Sequence, residues 1–157
     1  MPVQEMQAVV SPGAEGKRYS FDGYDIIFKS PNESATEAWT AIDYTMPAHR
    51  EGPPLHYHRD LIESFYVISG QVWMRVGDEE VNAGPGSYVW VPAGMPHTFA
   101  NRSDAPAHFL GHASGPRHKD FLCELLDLAI AEKAWPPADP KRIIELGARY
   151  DTYYLVG

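Results

Sequence analysis

One cysteine, Cys123, is all that the 157 residues contain. No disulfide can close within the chain, and a reducing compartment is the expected home. Basic residues are also few, 13 Lys and Arg against 21 Asp and Glu, for a formal net charge of −8. That balance repels phosphate backbones and anionic lipid surfaces, so neither nucleic-acid nor membrane binding is expected. Long apolar runs are missing, none approaching the roughly 20 residues that span a bilayer. Met1 to Gly13 lacks the basic start and long apolar core of a secretory signal, which leads to the expectation of a soluble, cytoplasmic protein. No internal repeat, nucleophile elbow, phosphate-binding glycine loop or helix-turn-helix pattern is visible.

What is present is enough for one folded unit. The chain is 44% hydrophobic and 12% aromatic, too apolar and too aromatic for a disordered segment. Its length suits a single domain that buries roughly two thirds of its unfolded surface. Fourteen prolines and thirteen glycines cut it into short pieces. The Asp22-Gly23 pair lies between Tyr19, Phe21 and Tyr24, Ile26, Phe28, the signature of a two-residue hairpin turn. Further strands are expected at Ala38 to Met46, Glu63 to Ser69, Gln71 to Val76, Glu79 to Val81, Tyr88 to Pro92, Thr98 to Asn101 and Ala107 to His112. Short strands at this spacing favour an all-β sandwich or barrel.

The last quarter differs. Phe121, Leu122, Leu125, Leu126, Leu128 and Ala129 recur at helical spacing, which predicts a helix from about Lys119 to Ala134, with Cys123 as a small buried hydrophobe on it. Trp135-Pro136-Pro137 stops this helix, and Asp139-Pro140 starts a shorter one reaching about Arg149. Residues 1–116 are thus expected to form the β unit with its amino-terminal hairpin, and 117–157 a helical extension of the same domain. Packing onto an open face of the sheet is the expected role of both helices, in preference to a lid.

Candidate chemistry is concentrated in the middle. His56 and His58, at i and i+2 on an extended segment, point to one side. Glu63 follows at an odd offset, so Arg59 and Asp60 must bend to return the carboxylate to that side. Pro92-Ala93-Gly94-Met95-Pro96 makes a rigid turn from which His97 opens the next strand. Three neutral imidazoles and one carboxylate suit one divalent transition metal (iron, nickel, cobalt, copper, manganese or zinc) and suit calcium or magnesium poorly. Phe65, Val67 and Phe99 are expected to share the ligand face, with Val72, Met74 and Val76 continuing an apolar lining that suits a flat hydrophobic substrate. His49 is placed at the mouth as a substrate contact, and His108, His112 and His118 are read as structural. For Tyr88, Val89, Trp90 and Val91 both registers are apolar, so no face can be assigned.

His56, His58, Glu63 and Gly70 reproduce the first motif of the cupin superfamily, and Gly86, Pro92, Gly94, His97 and Asn101 the second. The sequence resembles a cupin, with Gly52 closer to the histidine pair than is usual. The layout of hairpin, single barrel, helix, proline-rich link and Ala148-Arg149-Tyr150-Asp151 ending is similar to that of single-domain bacterial quercetinase-like cupins. The resemblance implies a jelly-roll β-barrel with the metal in its mouth, held by His56, His58, Glu63 and His97. It also implies a homodimer, because outward-facing Tyr66 and Ile68 need a cover from a second subunit or from the terminal helices. The activity implied is that of a metal-dependent dioxygenase using O2 on a flavonol-like or other enolisable aromatic molecule, with Glu63 as the catalytic base. The alternatives are a non-redox lyase, isomerase or polyketide cyclase using the metal as a Lewis acid, or a cupin that binds a small molecule without turning it over.

Overall fold

A computed structural model describes residues 10–13, 15–30, 39–115 and 117–155. Ala38 and Pro116 lie outside these residues, as does most of the Met1 to Gly13 segment.

The chain opens with the hairpin β1 (Lys17–Phe21) and β2 (Tyr24–Phe28), in register from Lys17↔Phe28 to Phe21↔Tyr24. Asp22 and Gly23 both have positive φ, 43° and 83°, which is the turn whose twist matches that of the flanking strands. There follow β3 (Trp39–Met46), β4 (Arg50–Glu51), β5 (His56–Tyr57), β6 (Glu63–Ser69), β7 (Val72–Val76), β8 (Glu79–Ala83), β9 (Tyr88–Val91), β10 (His97–Asn101) and β11 (Ala107–Ser114). Two helices, α1 (His118–Glu132) and α2 (Pro140–Ala148), precede a final two-residue strand, β12 (Tyr153–Tyr154). One sheet runs β1-β2-β3-β11-β6-β9, and the other β12-β5-β10-β7-β8 with β4 joined to β10. Every pairing is antiparallel. The expected all-β jelly roll with two carboxy-terminal helices is the fold observed.

Alternation along the strands decides what lies between the sheets. Phe65, Val67, Val72, Met74, Phe99 and Phe109 turn inward and form the main core. The residues after β6 must turn hard against β11. At Gly70, with φ of 75°, a Cβ would stand 2.4 Å from the Pro106 carbonyl oxygen, so only glycine fits. Asn101 is fully buried, and its Nδ2 donates to the carbonyls of Met46, Pro47 and Ala105. This second-motif residue therefore pins loops rather than contributing chemistry.

The helices sit where apolar strand faces are left open. α1 lays Cys123 and Leu126 against Tyr19, Ile26, Phe28 and Ile42, and packs Phe121 and Leu125 against Ile143 and Leu146 of α2. Asp139 caps α2 by accepting from the Lys141 amide, with Pro140 in the first helical turn. After α2 the chain returns to the second sheet, where Tyr153 pairs with Tyr57 and Tyr154 with His56. A two-residue strand is too short to show alternation, and the sequence reading has none here.

Candidate metal centre

β5 and β10 are paired at His56↔His97, which brings the first and third imidazoles together directly. His58 lies one residue beyond β5, and Glu63 is the first residue of β6, so the intervening bend carries the chain from one sheet to the other. That bend is held from outside: the Asp151 carboxylate accepts from the amides of Arg59, Asp60 and Leu61 at 3.0, 2.9 and 3.2 Å. The odd offset between His58 and Glu63 is thereby absorbed as expected, with a clamp that the sequence did not reveal.

The result is a tight cluster. One donor atom from each of His56, His58, Glu63 and His97 lies within 4.8 Å of the others, a group that could hold a metal ion. His58 and His97 place Nε2 at 3.2 and 2.6 Å from Glu63 Oε2. All three imidazoles are buried. Their outer nitrogens are each engaged: Nδ1 lies 2.8 Å from Pro54 O in His56, 2.9 Å from Asp151 O in His58 and 2.9 Å from Met95 O in His97. An imidazole that donates Nδ1–H to a carbonyl presents an Nε2 lone pair inward, the tautomer and orientation required of a ligand. The donor set and its outer hydrogen bonds thus fit a divalent transition metal.

The groups of the cluster act on one another's ionisation. Burial opposes ionisation of Glu63, but the neighbouring imidazoles, His58 first and then His118 and His97, override it and hold the carboxyl well below the usual range. Burial also works against a charged His58, yet the Glu63 carboxylate raises it on balance. His56 is driven well down, first by burial and then by the neighbouring imidazoles.

Beside the cluster lies a largely enclosed cavity of about 70 Å³. Phe65, Phe99, Phe109 and Tyr44 wall it from the barrel, and Phe121, Leu122, Leu125 and Leu126 from α1. Trp135 and Tyr154 also line it, and none of the described lining residues is Lys or Arg. α1 therefore covers the open sheet face and roofs the site at once, where the sequence reading set the first role above the second. Trp135 is fixed by donating from Nε1 to the Glu51 carbonyl, which also accepts from Tyr24 OH.

The expected substrate contacts separate. Phe65 and Phe99 line the cavity, whereas Val67 and Met74 are buried in the barrel core beyond its wall. His49 is on an exposed turn with its Nε2 at 2.8 Å from Asp104 Oδ1, and it does not line the cavity. The turn after β3 carries its side chain outward. Tyr88 and Trp90 face solvent while Val91 is buried, which resolves the register left open by their sequence. His108 pairs with Asp43 at 2.8 Å. His112 lines the cavity, and its ring lies tilted beside that of Trp39, with 6.2 Å between centroids.

Sequence reasoning missed His118. It is the first residue of α1, is buried, and sets Nε2 3.3 Å from Glu63 Oε1. No spacing rule ties it to the cluster, because the turn between β11 and α1 alone sets its position. Tyr154, whose ring centroid is 5.7 Å from that of His56, was likewise hidden.

Residues 43–112 match the cupin domain family. The match spans under half of the chain and, together with the jelly-roll fold, supports membership of the cupin superfamily. It is 28% identical over 103 residues to quercetin 2,3-dioxygenase of Bacillus subtilis, an alignment covering 66% of this chain and 30% of that protein. The chain therefore spans under a third of the length of that curated relative. Among solved structures, an RmlC-like cupin from Shewanella frigidimarina superposes with a TM-score of 0.59 at 15% identity, covering 73% of this chain and 96% of the other. A sugar phosphate isomerase of the cupin superfamily from Silicibacter pomeroyi gives 0.54 at 24% identity, covering 61% and 62%. These two likenesses concern the fold.

Proposed function

We propose that this protein is a metal-dependent dioxygenase acting on a flavonol-like or other enolisable aromatic small molecule. The observation that carries the reading is the cavity itself, an aromatic and aliphatic chamber that opens onto the His/Glu cluster and contains no cationic side chain among its described lining residues. Phosphorylated substrates need Lys or Arg to offset their charge. A sugar phosphate, as implied by the name of the Silicibacter relative, finds no such partner here. A flat conjugated ring finds Phe65, Phe99, Phe109 and Phe121. The relation to the Bacillus quercetin dioxygenase points the same way.

In this reading His56, His58, Glu63 and His97 hold one divalent metal per chain. When bound, the metal supplies Lewis acidity toward a hydroxyl–carbonyl unit and redox access to dioxygen. The protein supplies the rest. Three neutral imidazoles and one carboxylate leave the site with positive charge, which favours the enolate over its neutral parent. Glu63 is the catalytic base: its carboxylate, at the edge of the cavity, would take the hydroxyl proton of the substrate on Oε2 once that oxygen leaves the metal. The apolar walls exclude water from the electron-rich ring and hold it flat beside the cluster. Both atoms of dioxygen then enter the product as a carbon–carbon bond is cleaved. The cavity is well below the roughly 300–1,000 Å³ of ordinary ligand pockets. A substrate of flavonol size therefore enters with displacement of α1 or Trp135.

The non-redox reading, in which the same centre polarises a carbonyl in a lyase, isomerase or cyclase, makes the opposite prediction for oxygen. Elemental analysis of protein purified without added metal, paired with oxygen uptake on a panel of flavonols and other enolisable aromatics, decides between them. Near-stoichiometric iron, nickel, cobalt, copper or manganese with substrate-dependent uptake supports the dioxygenase. Zinc without uptake favours Lewis-acid chemistry or binding alone, and a protein without metal overturns the centre.

We also propose that the chain acts as a homodimer in the cytoplasm. Tyr66, Ile68, Tyr88 and Trp90 are 43%, 41%, 62% and 56% exposed on the outer face of β6 and β9, at the open end of their sheet. α1 and α2 pack elsewhere and leave this patch uncovered. None of the four side chains is charged in a chain of net charge −8, so two copies meet there with the least repulsion.

A further inference from the structure

Four imidazoles lie at Glu63 or next to it, and one of them differs from the others in its outer nitrogen. In His56, His58 and His97 the outer Nδ1 is engaged by a backbone carbonyl and Nε2 faces the centre. In His118 it is Nε2 that faces a carboxylate oxygen, Glu63 Oε1, while Nδ1 is buried with no hydrogen-bond partner among the described residues. A neutral imidazole carries a single N–H. With no acceptor at Nδ1 and a carboxylate oxygen at Nε2, that hydrogen sits on Nε2 in His118, which leaves its Nε2 no lone pair to offer a metal. The two Glu63 oxygens are thereby divided: Oε2 is shared with the Nε2 atoms of His58 and His97, and Oε1 belongs to His118.

We propose that His118 is a positioning residue of the metal centre, donating from Nε2 to Glu63 Oε1 so that the carboxylate presents only Oε2 to the metal. This rests on the metal-centre reading above and adds a partner that neither cupin motif contains. The residue begins α1, whose Phe121, Leu122, Leu125 and Leu126 roof the cavity. The same contact therefore ties the roof to a metal ligand. A carboxylate released from His118 is free to rotate, to chelate through both oxygens, or to turn away.

The test uses the metal alone as probe. Wild type, His118→Leu, His118→Gln and His118→Asn are prepared metal-free, checked for folding by circular dichroism and unfolding midpoint, and titrated with Co²⁺ against a competing chelator while the visible absorption is recorded. A Gln side chain carries its amide nitrogen the same number of bonds from Cα as Nε2 of histidine, whereas Asn carries it at the Nδ1 position. His118→Leu and His118→Asn are expected to bind Co²⁺ about 10- to 100-fold more weakly, with a changed absorption band. His118→Gln is expected to keep both the affinity and the band of wild type. If the Leu variant does not fold, the contrast between Gln and Asn decides. Unchanged affinity and band in Leu or Asn overturn the proposal. So does loss of Co²⁺ in Leu and Gln alike, which would make His118 a ligand in its own right. A wild-type protein that binds no Co²⁺ overturns the metal centre itself, a result distinct from either.

Discussion

At Glu63 a buried position and a full set of imidazole partners pull the carboxyl in opposite directions, and the partners win. Two different losses follow from two substitutions. Glu63→Gln keeps the size of the side chain and one oxygen donor but removes the charge. It should retain part of the metal, measured by elemental analysis, and lose turnover, measured by oxygen uptake; a variant that still turns over would remove Glu63 from the role of base. His58→Ala deletes an imidazole whose Nδ1 is held by Asp151 O, with Thr152 Oγ1 also 3.2 Å away. Metal content should fall to background, and unchanged content would sink the ligand assignment. The four cluster residues were legible because motif spacing on β5, β6 and β10 fixes them locally. His118 was not, since what brings it to Glu63 is the path of the chain from β11 into α1. Val67 and Met74 were read as cavity wall because alternation reports which face a residue is on, not how far along the barrel it lies.

Among the elements, the short carboxy-terminal return bears directly on the spacing of two metal-cluster residues. Asp151, at φ of 61°, sets its carboxylate on three successive amides of the bend between His58 and Glu63, and β12 then adds to the edge of β5. Replacing Asp151 by Ala leaves these amides without their acceptor. The loss should destabilise the protein by about 1.5–3 kcal/mol, the range for a hydrogen bond to a charged group. Because the bend spaces two ligands, metal affinity should fall too, and unfolding midpoints with and without metal should lie closer together than in wild type. A variant with the wild-type metal-induced shift would show that the clamp serves stability alone. Most strands were legible because Gly, Pro, Asp and Asn bound each alternating run, and both helices because their apolar spacing and the Asp139-Pro140 start are local. β12 and β4 were not, for two residues carry no period. The roofing role of α1 was hidden as well: an apolar stripe says that a helix is covered, and it does not say what else the covering surface encloses.

At the scale of the whole molecule, one row of side chains has no counterpart among the described residues. In β6 and β9, Tyr66 pairs with Tyr88 and Ser64 with Trp90 across the outer face, while Phe65 and Val91 turn into the core. Alternation in β6 announced an apolar outer face, and the structure adds Tyr88 and Trp90 to it, so that the patch reaches the free edge of the sheet. A second copy, related by a two-fold axis, would match this patch with itself, aromatic against aromatic. The joint substitution Tyr88→Glu and Trp90→Glu puts like charges at the centre of that contact without touching the metal cluster or the core. Light scattering coupled to size exclusion should give a dimer for wild type and a monomer for the variant, with Co²⁺ affinity preserved in both. A monomeric wild type at the same concentration would remove the dimer. A variant that stays dimeric would move the interface off this face, leaving the exposed aromatics for some other partner.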